Sequence, residues 1–221
     1  RLVGSEMCIR DSKESVAEHA LGMMLAVSKK MIQADRRLRR ESHLDRMELI
    51  GTEMLGKTLG VVGLGAIGTR TAELCRVAFK MRIIAYDPYL NKKETSLRGA
   101  CKVDLETLLS ESNFITVHCP RTEKTLDMFG SKQFADMKND AVFVTTARGG
   151  IVNEEALALA LKQNEILGAG VDVFWKEPPG PEHCLMELDN VLVTPHHAGI
   201  TKEANKNMSA GSAEQWISLL R

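Results

Sequence analysis

The chain has 221 residues, 44% hydrophobic and 26% charged, enough for one large globular domain or for one domain and part of another. Lys plus Arg and Asp plus Glu each number 29, so the net charge is zero and neither a nucleic-acid footprint nor a basic membrane surface is implied. No apolar run approaches a bilayer span, and the five cysteines (Cys8, Cys75, Cys101, Cys119, Cys184) lack metal-ligand spacing, which reads as reduced thiols in a cytoplasmic protein with no metal.

Arg1 to Ser12 has no initiator Met, no periodicity and no apolar core of a signal peptide. It resembles translated sequencing adapter and is set apart from the fold. Ser15-Val16-Ala17-Glu18 reads as a capping box. Ala17, Ala20, Leu21, Met24, Ser28, Met31 and Ile32 then follow at helical spacing, so one long helix is expected to reach the basic cluster Arg36, Arg37, Arg39 and Arg40. A polar, irregular segment runs on to Gly56.

From there strands and helices alternate. Strands are expected at 58–62, 82–86, 114–118, 141–145, 168–172 and 191–194. Helices are expected at 67–79, 105–109 and 131–137, from the Asn153 cap through Gln163, and from Thr201 onward. The strands are apolar throughout, which implies a parallel sheet covered on both faces. The fold class is therefore α/β, doubly wound, with its ligand beyond the carboxyl ends of the strands. Those ends carry Gly63, Asp87, His118-Cys119-Pro120, Thr146-Ala147-Arg148, Asp172 and Pro195-His196.

Gly63-Leu64-Gly65-Ala66-Ile67-Gly68 sits between the first strand and its helix, with Asp87 about twenty residues on at the end of the next strand. Gly63 allows the turn, Gly65 lets a pyrophosphate approach the backbone, and Gly68 lets helix and strand pack closely. The helix N-terminus offers free N–H groups to the phosphates. Asp87 accepts from a ribose diol and repels a 2′-phosphate, which points to NAD over NADP.

Arg148 precedes Gly149-Gly150 at a strand end, where its planar fork matches a carboxylate. Glu177 and His196 lie just past two further strand ends. Reducing a ketone beside a nicotinamide requires a proton for the carbonyl oxygen, and a histidine whose ring is fixed by a carboxylate can supply it. Spacing alone leaves open a structural ion pair for Arg148, a surface-loop position for Glu177, and a satisfied core histidine for His196 or His197.

From about Ser15 to about Trp216 the chain resembles the cofactor-binding part of the D-isomer-specific 2-hydroxyacid dehydrogenases. The stretches that carry this are Ser15-Val16-Ala17-Glu18-His19-Ala20-Leu21, the glycine fingerprint, Tyr86-Asp87-Pro88, His118-Cys119-Pro120, Ala147 to Val152, Gly170 to Phe174, Glu177-Pro178 and Thr194-Pro195-His196, in family order. The resemblance implies that Arg148 anchors the substrate carboxylate, that His196 donates the proton and that Glu177 is its partner. It also implies cofactor positions at Gly63, Gly65, Ala66, Ile67, Gly68, Asp87, Cys119, Pro120, Thr146, Ala147, Arg148, Asp172, His196 and Gly199, with Asp172 near the nicotinamide amide.

The implied activity is NAD-dependent interconversion of a 2-keto acid and a D-2-hydroxy acid. Phosphoglycerate, glycerate/hydroxypyruvate, glyoxylate and lactate all stay open as substrates. A phosphite-type dehydrogenase and a NAD(H)-sensing corepressor-like module share these motifs. The formate type does not, since it has Gln where Glu177 stands.

Arg121 departs from the usual apolar residue near the adenosine side, and with Lys92 and Lys93 it tempers the NAD preference. By the same resemblance residues 13–50 form a helix and dimerisation arm, 51–200 the NAD-binding domain, and 201–221 a truncated helix returning to a substrate domain whose N-terminal part is absent. A homodimer is expected.

Overall fold

The computed structural model describes residues 12–207. Its centre is a seven-stranded, all-parallel sheet in the order β3-β2-β1-β4-β5-β6-β7. The strands are β1 (Thr58–Val62), β2 (Arg82–Tyr86), β3 (Cys101–Lys102), β4 (Phe114–Val117), β5 (Val142–Thr145), β6 (Gly168–Val171) and β7 (Val191–Val193). Register follows from the central pair, where Leu59 to Val62 face Phe114 to Val117. The chain order reverses at β1 and β4, which opens the crevice where ligands of doubly wound sheets bind.

Successive strand residues feed opposite faces. Leu59, Val61, Phe114, Val142 and Val144 enter one apolar cluster, while Val62, Ile115, Val117 and Phe143 enter the other. Both faces are covered, so the strands read as unbroken apolar runs. The first cluster is closed by α1 (Lys13–Ser28) and α3 (Ala66–Phe79), through Ala20, Met23, Met24, Ala72 and Cys75. The second is closed by α5 (Leu105–Glu111), α6 (Ser131–Ala135) and α7 (Glu154–Lys162). β6 has the sequence Gly-Ala-Gly-Val because α1 lies against it: a β-carbon on Gly170 would stand 2.9 Å from that of Met23.

Three expectations change. The long first helix is two helices, α1 and α2 (Met31–Arg40), broken at Lys30, whose φ is 51°. Thr52 N–H donates to the Ser28 carbonyl at 2.8 Å, so the returning chain takes an acceptor that a continuous helix would use. Second, α1 begins at Lys13, so Ser15 is not its cap. Its hydroxyl is buried in the first turn and donates to Thr201 Oγ1 at 3.0 Å. Third, α4 (Lys92–Leu97) and the edge strand β3 were not anticipated. The helix is short, held by a capping box between Asn91 and Glu94, and the strand has two residues. Three arginines of the α2 cluster are paired: Arg36 with Asp189, Arg37 with Glu41 and Glu48, and Arg39 with Asp35.

Candidate active site

The β1–α3 turn is built for close approach. Gly63 has φ 88°, and a β-carbon on it would stand 2.7 Å from Cys119 N. A β-carbon on Gly68 would overlap the Gly63 carbonyl oxygen and meet Val61 Cγ1 at 3.1 Å. Gly65 differs: nothing lies within 4 Å of its β-carbon position. Gly65 is also the N-cap of α3 and brings no side chain to close the first-turn N–H groups of Ala66 and Ile67. An open cradle under a helix N-terminus fits a pyrophosphate.

Asp87 stands beside this cradle at the end of β2. Its Oδ2 accepts from Leu64 N–H and its Oδ1 from Tyr89 N–H, both at 3.0 Å, so the carboxylate is oriented with acceptor capacity left for a diol. Lys102, which the sequence did not single out, fixes the loop from below by donating to the carbonyls of Asp87 (3.1 Å) and Leu90. A cleft of about 460 Å³ joins Gly63, Gly65, Asp87, His118, Cys119 and Pro120. His118 is held between Thr116 Oγ1 (2.9 Å) and Thr146 Oγ1 (3.4 Å), and burial pushes its pKa down to about 4. Cys119 borders the cleft, and burial pushes its thiol up to about 11, so it is no nucleophile at neutral pH. Arg121 does not line this cleft. It donates to the Gly149 carbonyl at 3.3 Å and lies 6.0 Å from the Trp175 ring, on the Arg148 side. Lys92 borders a neighbouring depression beside Asp87.

At the ends of β5, β6 and β7 a second group converges. His196 Nδ1 and Glu177 Oε2 are 2.7 Å apart, and Glu177 Oε1 accepts from Phe174 N–H at 3.0 Å. Burial raises the Glu177 pKa, but the hydrogen bonds from His196 and Phe174 and the charge of Arg148 outweigh it and hold the carboxyl below its ordinary value. Arg148 follows buried Thr146 and Ala147 and donates to the Ala147 carbonyl at 2.6 Å. Among the described residues no carboxylate forms an ion pair with it. His196 has φ 52°, a left-handed conformation that costs a non-glycine residue about 1–2 kcal/mol and persists only where surroundings impose it.

Asp172 imposes it. The carboxylate is fully buried, accepting from the Thr194 hydroxyl (2.5 Å) and His197 N–H (3.0 Å) on one oxygen and from Ala198 N–H (3.1 Å) on the other. The Asp172 carboxylate thus lies beneath the 194–198 loop and ties that loop to the end of β6. His19 and His197 approach the same carboxylate at 3.7 and 3.5 Å. With the oxygens of Asp172 engaged from within, this is a satisfied hydrogen-bond network. Gly199 lies just beyond, against Ser12 and Val16 at the start of α1.

Comparison with known proteins agrees with this architecture. The D-isomer specific 2-hydroxyacid dehydrogenase NAD binding domain matches residues 21–198. The chain belongs to that family. It is 44% identical over 207 residues to the D-3-phosphoglycerate dehydrogenase of Archaeoglobus fulgidus, covering 94% of this chain and 39% of that protein. It is 43% identical to the hydroxypyruvate reductase of Thermotoga maritima, covering 92% of this chain and 66% of that protein. The D-lactate dehydrogenase of Lactobacillus jensenii, solved with NAD+, superposes with a TM-score of 0.83 at 32% identity, covering 94% of this chain and 66% of that one. The chain thus spans well under half the length of the phosphoglycerate dehydrogenases it matches. The cofactor of the matched domain is NAD, and the cradle and Asp87 fit it.

Proposed function

We propose that the chain is the cofactor-binding and proton-transferring part of an oxidoreductase that interconverts a 2-keto acid and a D-2-hydroxy acid. When bound, NAD supplies or accepts the hydride at the substrate carbon. Arg148 holds the substrate carboxylate through its planar fork and polarises the adjacent carbonyl. Glu177 fixes the His196 ring through Nδ1, which leaves Nε2 to give the substrate oxygen its proton in reduction and take it back in oxidation. Asp87 reads the adenosine ribose, and the backbone from Gly65 to Gly68 binds the pyrophosphate beside Ala66 and Ile67. Cys119, Pro120, Thr146, Ala147 and Gly199 border the cofactor, and Asp172 supports it from beneath the loop.

The 2.7 Å pair of His196 and Glu177 past the strand ends, with the charge of Arg148 acting on Glu177, carries this reading. The names of its relatives make hydroxypyruvate, glyoxylate, pyruvate and phosphohydroxypyruvate the first substrates to try. The test is NADH oxidation with each by this chain joined to the N-terminal substrate-domain part of a relative. Turnover with at least one, abolished by His196→Ala while NADH affinity is retained, supports the assignment. Near-wild-type turnover in that variant refutes it.

We also propose a homodimer. Leu38 (72% exposed), Met47 and Ile50 leave a row of apolar side chains uncovered along α2 and the segment after it. Residues 13–50 then combine a helix built into the domain with an association arm, and 51–200 form the NAD-binding domain; the expected helix of 201–221 lies, beyond residue 207, outside the described residues. A reducing cytoplasm suits the unpaired Cys75, Cys101, Cys119 and Cys184. No helix of the described residues is long and apolar enough to cross a membrane.

A further inference from the structure

Glu154 stands outside the pair just described, yet its side chain is only 15% exposed and fully engaged. It is the first residue of α7, after the Asn153 cap. Its Oε1 accepts from the Trp175 N–H at 2.6 Å, and its Oε2 meets His183 Nε2 at 2.8 Å. The Glu154 carbonyl accepts from the Cys184 thiol at 3.7 Å. The His183 ring in turn meets Phe174 edge-on, with centroids 5.4 Å apart.

Two adjacent amides, of Phe174 and Trp175, therefore point to two different carboxylates. The first goes to Glu177 within the loop, and the second goes to Glu154 across on α7. On the loop's other side Gly149 lies so close that a β-carbon there would overlap the Phe174 carbonyl and stand 2.8 Å from Trp175 N. The loop is thus held between the turn that carries Arg148 and the N-terminus of α7.

We propose that Glu154 and His183 form a clamp that positions the 173–177 loop, so that Glu177 faces His196. Glu154 is a positioning residue and touches no substrate. Removing it frees the Trp175 N–H and unpins one side of the loop, while the Gly149 side only limits how close the loop can come. The catalytic consequence rests on the oxidoreductase reading; the geometric claim concerns only the orientation of His196.

That orientation has a spectroscopic signature. A carboxylate only accepts, so a neutral His196 facing Glu177 carries its proton on Nδ1, whereas a released ring exchanges between both forms. Long-range proton–nitrogen spectra of this chain in alkaline buffer report which nitrogen is protonated. The wild type is expected to show the Nδ1–H form at His196. Glu177→Ala and Glu154→Ala both give the mixed pattern, while Glu154→Gln, which keeps an acceptor for Trp175, restores the Nδ1–H form.

A folded Glu154→Ala variant that keeps the Nδ1–H form overturns the clamp but leaves the His196–Glu177 pair standing. If Glu177→Ala keeps it too, the pair itself fails, and the clamp with it. Should Glu154→Ala not fold, His183→Gln gives the same reading: a partly mixed pattern supports the clamp, and an unchanged one overturns it.

Discussion

Gly68 lies so close to Gly63 that a β-carbon on the one would overlap the carbonyl oxygen of the other, whereas the same atom on Gly65 would meet nothing within 4 Å. The first and third glycines of the fingerprint thus serve packing, and the middle one keeps space open for a ligand. The glycines therefore separate by experiment. Gly68→Ala should lower stability by about 1–3 kcal/mol, the usual cost of overpacking. Gly65→Ala should leave the thermal midpoint unchanged and weaken NADH binding at least about tenfold, one lost charge-assisted contact. Melting curves and NADH fluorescence titrations of both variants check this, and equal loss of stability in the two would contradict it.

Asp87 should set the choice of cofactor. Its carboxylate is oriented by Leu64 N–H and Tyr89 N–H, and its charge opposes a 2′-phosphate. Asp87→Ala should weaken NADH about tenfold while leaving NADPH unchanged or tighter. Parallel titrations with both cofactors decide it; equal weakening would remove the ribose-diol assignment.

His118 gives stability a pH signature. Its folded pKa is pushed by burial from 6.5 down to about 4, so between those values the unfolded chain holds a proton that the folded chain does not. Stability should fall as pH drops through that window and level off below it. Glu177 adds a loss of the same sign at lower pH, because its depressed pKa contributes stability only while it stays ionised. Urea unfolding from neutral to acid pH should show this slope, and His118→Gln should flatten it. An unchanged slope would place the protonation elsewhere.

The apolar row on and after α2 should hold two chains together. Leu38→Asp with Ile50→Asp should convert a dimer to a monomer in sedimentation velocity without altering the far-UV spectrum. A wild-type chain that sediments as a monomer at micromolar concentration contradicts the dimer.

Much of this was written in local chemistry. The unbroken apolar runs around Val61, Ile115 and Val144 announced a sheet covered on both faces, and the glycines and Asp87 announced the cradle. Arg148, Glu177 and His196 came from motifs, since nothing in their spacing says that residues nineteen apart meet at 2.7 Å. What stayed hidden depends on distant partners. The break after Ser28 is made by the chain returning at Thr52, β3 is a two-residue edge, and Arg121 lies by Trp175, whose ring takes the place a β-carbon on Gly150 would need. The burial of Asp172 follows from three donors in the loop after β7, none of them near it in sequence.

The most direct measurement is NADH oxidation with hydroxypyruvate and glyoxylate by this chain joined to the N-terminal substrate-domain part of a relative, as wild type and as His196→Gln, beside NADH affinities for both. The wild type should turn over at least one of these acids, and the variant should lose at least about a hundredfold in rate, the usual worth of general acid catalysis, at unchanged NADH affinity. A variant that turns over at the wild-type rate, or a wild type that binds NADH and reduces neither acid, would contradict the proposed function.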